Sequence, residues 1–112
     1  MFIILLDEPG LFVFPSPADA VRAIEPPDAE AEIRAAFDDA AVPYRVVWTR
    51  PNQYSRALGI GWTVNFGEYH FVPAGPPDPA ALVSLLEEHP NITNPPEAKA
   101  ALASLLARMR TV

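Results

Sequence analysis

The sequence predicts an α+β fold, and three observations carry that prediction. Apolar residues alternate through Val42, Tyr44, Val46 and Trp48, and again through Leu58, Ile60, Trp62, Val64 and Phe66, which is the period of strands. Leu82, Leu85 and Leu86, and later Leu102, Leu105 and Leu106, recur at spacings of three and four, which is the period of helices with one buried face. Nearly all of the 14 prolines of the 112 residues fall between these periodic segments rather than inside them, so they punctuate elements and do not form a disordered tract. Residues 1–112 are read as a single domain: a mainly antiparallel sheet of hairpins, one short N-terminal helix and two C-terminal helices.

Phe2 to Leu6 is a continuous apolar run and Leu11 to Phe14 resumes it. Between them, Pro9 and Gly10 occupy the second and third positions of a type II turn, so two short strands are expected to pair there. Ser16 can cap a helix, Pro17 suits its first position and Asp19 its positive end, with Ala20, Val21 and Ile24 as the apolar side. Pro26 and Pro27 are read as its stop.

Residues 29–40 allow two readings. Ala29, Ala31, Ile33, Ala35 and Phe37 alternate with Glu30, Glu32 and Arg34, as in a strand with one buried face. A hairpin loop of four residues, Asp38 to Ala41, would set Phe37 against Val42, Ala35 against Tyr44, Ile33 against Val46 and Ala31 against Trp48. The competing reading is a helix capped by Asp28, since Ala and Glu are strong helix formers and Ile33, Phe37 and Ala40 also sit at helical spacing. The strand is the preferred reading.

The polar segment Thr49 to Arg56 has no period and is read as a loop. The strand through Phe66 has Gly59 and Gly61 on its second face, and a tight turn near Asn65 to Glu68 leads into Tyr69 to Val72. Asp78-Pro79 starts a helix ending at His89-Pro90. Asn94 to Glu97 has the form of a capping box before a last helix, whose stripe is Ala98, Ala101, Leu102, Leu105, Leu106 and Met109.

Charge narrows the function classes. The net charge is −6, and nine of the 14 acids lie in residues 1–40 beside only two bases. Nucleic acid is therefore a poor partner and a basic protein surface a better one. With no cysteine and two histidines, neither thiolate chemistry nor a recognisable zinc motif is present, and no cofactor or metal is expected. No GxSxG, SxxK or phosphate-loop motif occurs, and Gly59 and Gly61 fall inside a strand rather than before a helix, so no catalytic residues are assigned. The apolar run at the N-terminus is too short for a signal or a membrane span, and a cytoplasmic protein without a membrane role is expected.

The segment from Val13-Phe14-Pro15-Ser16-Pro17-Ala18 through Ile24-Glu25-Pro26, continuing with Ala35-Ala36-Phe37-Asp38 to Tyr44, resembles small acidic bacterial immunity proteins of polymorphic or contact-dependent toxin systems. In that pattern a strand, an SPxxA…IEP helix and an AFDxxG hairpin follow one another over about the first 45 residues. Here Ala41 stands where a glycine commonly closes the hairpin. The resemblance implies a non-enzymatic protein that binds a cognate toxin and covers its active site. Glu30, Glu32, Asp38 and Asp39 are the expected contacts with a basic toxin surface, and Arg50, Tyr54 and Arg56 the secondary ones. The alternatives are a regulatory or structural interaction module, a homodimer among its forms, and a small-ligand binder or enzyme around His70.

Overall fold

The computed structural model describes residues 1–7, 10–56, 62–89 and 93–111. Glu8 and Pro9 of the expected turn, and Leu58, Gly59, Ile60 and Gly61 of the glycine-faced strand, lie outside them. The fold is α+β, with four α-helices and mainly antiparallel strands among the described residues.

β1 (Phe2–Leu6) is the inner strand on which both cores are built. It pairs antiparallel with β2 (Gly10–Phe14) on one side and with β3 (Ile33–Asp38) on the other. A strand covered on both faces has no use for polar alternation, which is why its sequence is a continuous apolar run. Phe2, Ile4 and Leu6 face one core, shared with Ala20 of α1 (Pro17–Ala23) and Ile24 at its C-cap, Ala29 of α2 (Pro26–Glu32), and Tyr69 and Phe71. Ile3, with Leu11 and Phe37, faces the other, filled by Leu82, Leu85 and Leu86 of α3 (Pro79–Glu88) and Leu102 and Leu105 of α4 (Lys99–Arg110). β8 (Thr93–Asn94) extends the sheet by a short parallel pairing with β2.

The caps of α1 and α3 follow their sequences. The Ser16 side chain accepts the N–H of Asp19 at 3.2 Å, and Asp78 accepts that of Ala81 at 3.1 Å. A 3₁₀ turn, Pro96–Ala98, with Pro95 as its N-cap, precedes α4, and the side chain of Asn94, the expected cap, lies outside the described residues.

The largest correction concerns residues 26–44. Residues 26–32 are helical and 33–38 are strand, so each reading of the segment describes half of it, and the N-terminal region holds two short helices rather than one. Pro26 and Pro27 do more than end α1: they occupy the first positions of α2, where a missing N–H costs nothing. The expected hairpin ladder between β3 and β4 (Tyr44–Arg50) is absent. β3 pairs with β1, β4 pairs with β7 (Glu68–Pro73), and among the described residues the only backbone bridge between β3 and β4 is at Phe37 and Pro43.

That bridge leaves an odd loop of five residues, one more than parity asked for. Ala41 supplies the extra residue in the left-handed conformation, φ 64°, at the position where the resembling pattern has glycine. The strain of roughly 1 kcal/mol for a residue with a Cβ is offset by the surrounding bonds. Asp38 Oδ1 accepts from the N–H of Ala40 at 2.9 Å and of Val42 at 3.0 Å, and Asp78 donates its N–H to Ala41 O at 2.8 Å. A bulge in the β1–β3 pairing then turns Ile33 to the α1/α2 side while Ala35 and Phe37 face α3 and α4.

The segment expected to be a loop contains a strand. β5 (Gln53–Arg56) pairs with β6 (Trp62–Asn65), not β6 with β7. Arg50 lies opposite Glu68, and Gln53 opposite Asn65, which is one register carried across a gap. β4, β5, β6 and β7 are therefore a single two-stranded ribbon interrupted at Pro51-Asn52 and Phe66-Gly67. A ribbon of this length runs about 40 Å, which accounts for the 58 × 27 × 20 Å shape of the molecule.

The proximal ribbon is held by aromatic packing. The Phe2 ring stands edge-on to Tyr44 at 5.0 Å and to Phe71 at 4.9 Å, and Trp48 lies 5.2 Å from Tyr69. The buried Tyr69 hydroxyl donates to Ile24 O at 2.6 Å, tying β7 to the end of α1. Burial, with a smaller effect of the Asp28 charge, pushes this phenol up to about 12 from its ordinary value of 10.0. The folded state thus holds the proton more tightly than the unfolded chain. Its contribution to stability is whole below about pH 10 and is lost as the pH rises towards 12. Urea midpoints are expected to fall across this window, and more steeply in the wild type than in Tyr69→Phe. Equal slopes in the two proteins would remove Tyr69 as the cause.

Candidate partner-binding site

At the interruption, Pro51 has no N–H to give to the ladder, so the strand must bend or lose a bond. Asn52 takes over: its Oδ1 accepts the N–H of Gly67 at 2.8 Å, while its Nδ2 donates to Pro26 O at 3.0 Å and to Glu30 Oε2 at 2.7 Å. One side chain thereby closes the kink and fastens it to α2. Gly67 is required there because a Cβ would fall 2.2 Å from Arg50 O.

The same junction gathers three of the residues expected to contact a partner. The Tyr54 hydroxyl donates to Glu30 Oε2 at 2.9 Å, and desolvation followed by that carboxylate holds the phenol above its ordinary pKa. Arg50 donates to Phe66 O at 3.1 Å and sits 3.3 Å from the Glu68 carboxylate. Around them α2 carries Glu25, Asp28, Glu30 and Glu32 with no basic residue in its last turn. Tyr54 is 49% exposed and Phe66 48%, although both are large apolar side chains.

Glu32 ends α2, two residues after Glu30 and so on a different side of the helix. Asp38 and Asp39 lie at the far end of β3, roughly 17 Å away at 3.3 Å per residue. Asp38 is also engaged: besides its two loop N–H bonds it accepts the Tyr44 hydroxyl at 3.1 Å. Asp39 is exposed, 3.5 Å from the Met1 amino group. The four acids expected to form one contact surface are thus divided between the two ends of β3. Arg56 ends β5, and its side chain lies outside the described residues.

Two participants were not foreseen. Phe66 alternates with Trp62 and Val64 as the end of one strand, yet it stands at the kink. Asn52 sat in a segment read as loop, where the Pro-Asn pair was the available signal of a bend.

Beside the junction, β3 and β4 diverge from the Phe37–Pro43 bridge and leave an open cleft of about 320 Å³. Ala29, Ile33, Ala36, Val46 and Trp48 give it an apolar lining, and Glu30, Arg34 and Arg45 add charge. Arg34 is bonded to Asp7 at 2.6 Å, which holds the Asp7 carboxyl below its usual range. His70 is exposed on β7 and does not line this cleft, and His89 caps the end of α3. Among the described residues no three His, Asp or Glu side chains converge as metal ligands, and no helix is long and apolar enough to cross a membrane. No family model, curated protein or solved structure matches this chain.

Proposed function

We propose that this chain is a non-enzymatic protein-binding domain, and most concretely an immunity protein that neutralises a cognate bacterial toxin by covering its active site. The contact surface in this reading is the junction of α2 with the ribbon. The observation that carries it is the exposure of Tyr54 and Phe66 at a point where the backbone is fixed by Asn52 and Gly67. Large aromatics left half open to water are the side chains that contribute most when a partner covers them. The carboxylates of α2 beside them would speed the approach of a basic surface and orient it. Glu30 and Glu32 are the acidic contacts, with Arg50 and Tyr54 beside them; Asp39 belongs to this surface only if the partner reaches around β3.

The partner to test first is a toxin-like domain encoded beside this chain's gene. Tyr54→Ala and Phe66→Ala are each expected to weaken binding to it at least tenfold, about 1.4 kcal/mol, measured by calorimetry with the circular dichroism spectrum unchanged. Glu30→Lys with Glu32→Lys is expected to slow association and to reduce its dependence on salt. A double aromatic variant that binds as tightly as the wild type would move the interface away from the junction.

A further inference from the structure

We infer that the cleft between β3 and β4 is a slot for an extended segment of the bound protein, taken up by strand addition along the β4 edge. The segment would carry apolar residues at alternate positions and a Lys or Arg next to Glu30. This inference rests on the protein-binding reading above and adds the mode of recognition.

The hydrogen-bond parity of the two strands points to it. Ala74 donates its N–H to Pro43 O at 2.8 Å, so Pro43 and Ala74 form a closely bonded pair, and the antiparallel register makes Arg45–Val72 and Val47–His70 bonded pairs in turn. The backbone N–H and C=O of Tyr44, Val46 and Trp48 therefore point away from β7, towards the cleft. At the near end, Asp38 donates its N–H to Val42 O at 3.1 Å, away from β1, and the same alternation turns Ala36 towards Tyr44, where the Phe37–Pro43 bridge closes the cleft. Beyond the bridge, the backbone donors and acceptors of Val46 and Trp48, which pair with no strand among the described residues, face a space with an apolar lining. An extended chain satisfies such groups while burying every second side chain, which a small molecule does not do.

Charge selects among extended chains. The Glu30 carboxylate accepts from the neutral donors Asn52 and Tyr54 and has no cation in ion-pair range among the described residues. Arg34, the basic group across from β4, is already held by Asp7. Arg45, the other basic group of the lining, lies on β4 towards the Phe37–Pro43 bridge, so at the α2 end the lining charge without an ion pair among the described residues is that of Glu30, and a basic residue in the segment completes it. Because Glu30 also holds Tyr54, a chain entering the slot continues directly from the surface at the junction.

The probe is a capped synthetic heptapeptide, KVTVTVT, added to the full chain and followed by amide hydrogen exchange in NMR. In the free protein at low concentration, the amides of Val46 and Trp48 are expected to exchange freely while those of Arg45 and Val47 are protected. Millimolar peptide is expected to slow Val46 and Trp48 at least tenfold. A version with alternate peptide nitrogens methylated should lose this effect, and the peptide with Glu in place of Lys should bind at least threefold more weakly, a preference that Glu30→Gln removes. Protection of Val46 and Trp48 in the dilute free protein, no slowing by the peptide, or equal binding of the methylated version would each overturn the slot. So would protection that rises with protein concentration together with a doubled mass in light scattering, since a second copy would then be the occupant. These readouts do not involve Tyr54 or Phe66, so the slot fails separately from the junction.

Discussion

Replacing Phe2 with alanine is expected to remove about 3–5 kcal/mol of stability, the cost of truncating a large buried ring. The ring is 1% exposed and stands where the sheet of β1 meets the ribbon, edge-on to Tyr44 and Phe71. Transfer of the ring from water accounts for about 2–3 kcal/mol of this, and each aromatic contact adds about 0.5–1.5 kcal/mol. The location raises the stakes. Between the two sheets the backbone ladder offers only the bridge at Phe37 and Pro43, so the proximal ribbon is held mainly by side chains around Phe2. With total stabilities of about 5–15 kcal/mol for natural domains, Phe2→Ala is expected to lower the urea midpoint severely. Phe2→Leu, which keeps much of the volume, should lose clearly less. A loss below about 1 kcal/mol for the alanine variant would mean that the ribbon docks independently of this ring.

The elements that were legible in the sequence are those whose burial is complete and whose ends are chemically marked. Phe2 to Leu6, the Ser16 cap and the leucine stripes of α3 and α4 appear where they were expected. The failures share a physical origin, which is that a local pattern does not say which neighbour buries it. Residues 29–37 alternate correctly for a strand, but the bulge at Ile33 reverses the face midway, and prolines that end one helix begin the next. An even hairpin loop was required only if β3 and β4 paired with each other. Each found a different partner, and the parity constraint vanished.

The junction was half legible for the same reason. Arg50 and Tyr54 were marked by residue type in a polar stretch, and Glu30 by charge. Their convergence depends on the register that carries β4 into β5 across Pro51, which polar residues without a period cannot announce. Phe66 was hidden by its own alternation with Trp62 and Val64. Asp38 shows the opposite error: an acid that looked available is consumed by the loop it closes.

Gly67→Ala is expected to have the largest effect on binding of any single methyl addition in this chain. The new Cβ would lie 2.2 Å from Arg50 O, 2.7 Å from Pro51 C and 2.8 Å from Asn52 N, all of them backbone atoms that no rotamer change can move. The strands must separate at the kink, and the bond from Gly67 N–H to Asn52 Oδ1 goes with them. Overpacking of this kind costs about 1–3 kcal/mol, and the lost bond about 1 kcal/mol more. Because Asn52 also fastens the ribbon to Pro26 and Glu30, the distal strands and Tyr54 would change their position relative to α2. Partner affinity is therefore expected to fall at least tenfold even at temperatures where the two cores remain folded. Asn52→Ala separates the causes, since it removes the fastening bonds without adding an atom at the kink. Its loss of affinity should be substantial and its loss of stability smaller than that of Gly67→Ala. If Gly67→Ala kept both melting temperature and affinity, the kink would be free to adjust, and Tyr54 and Phe66 would not owe their placement to it.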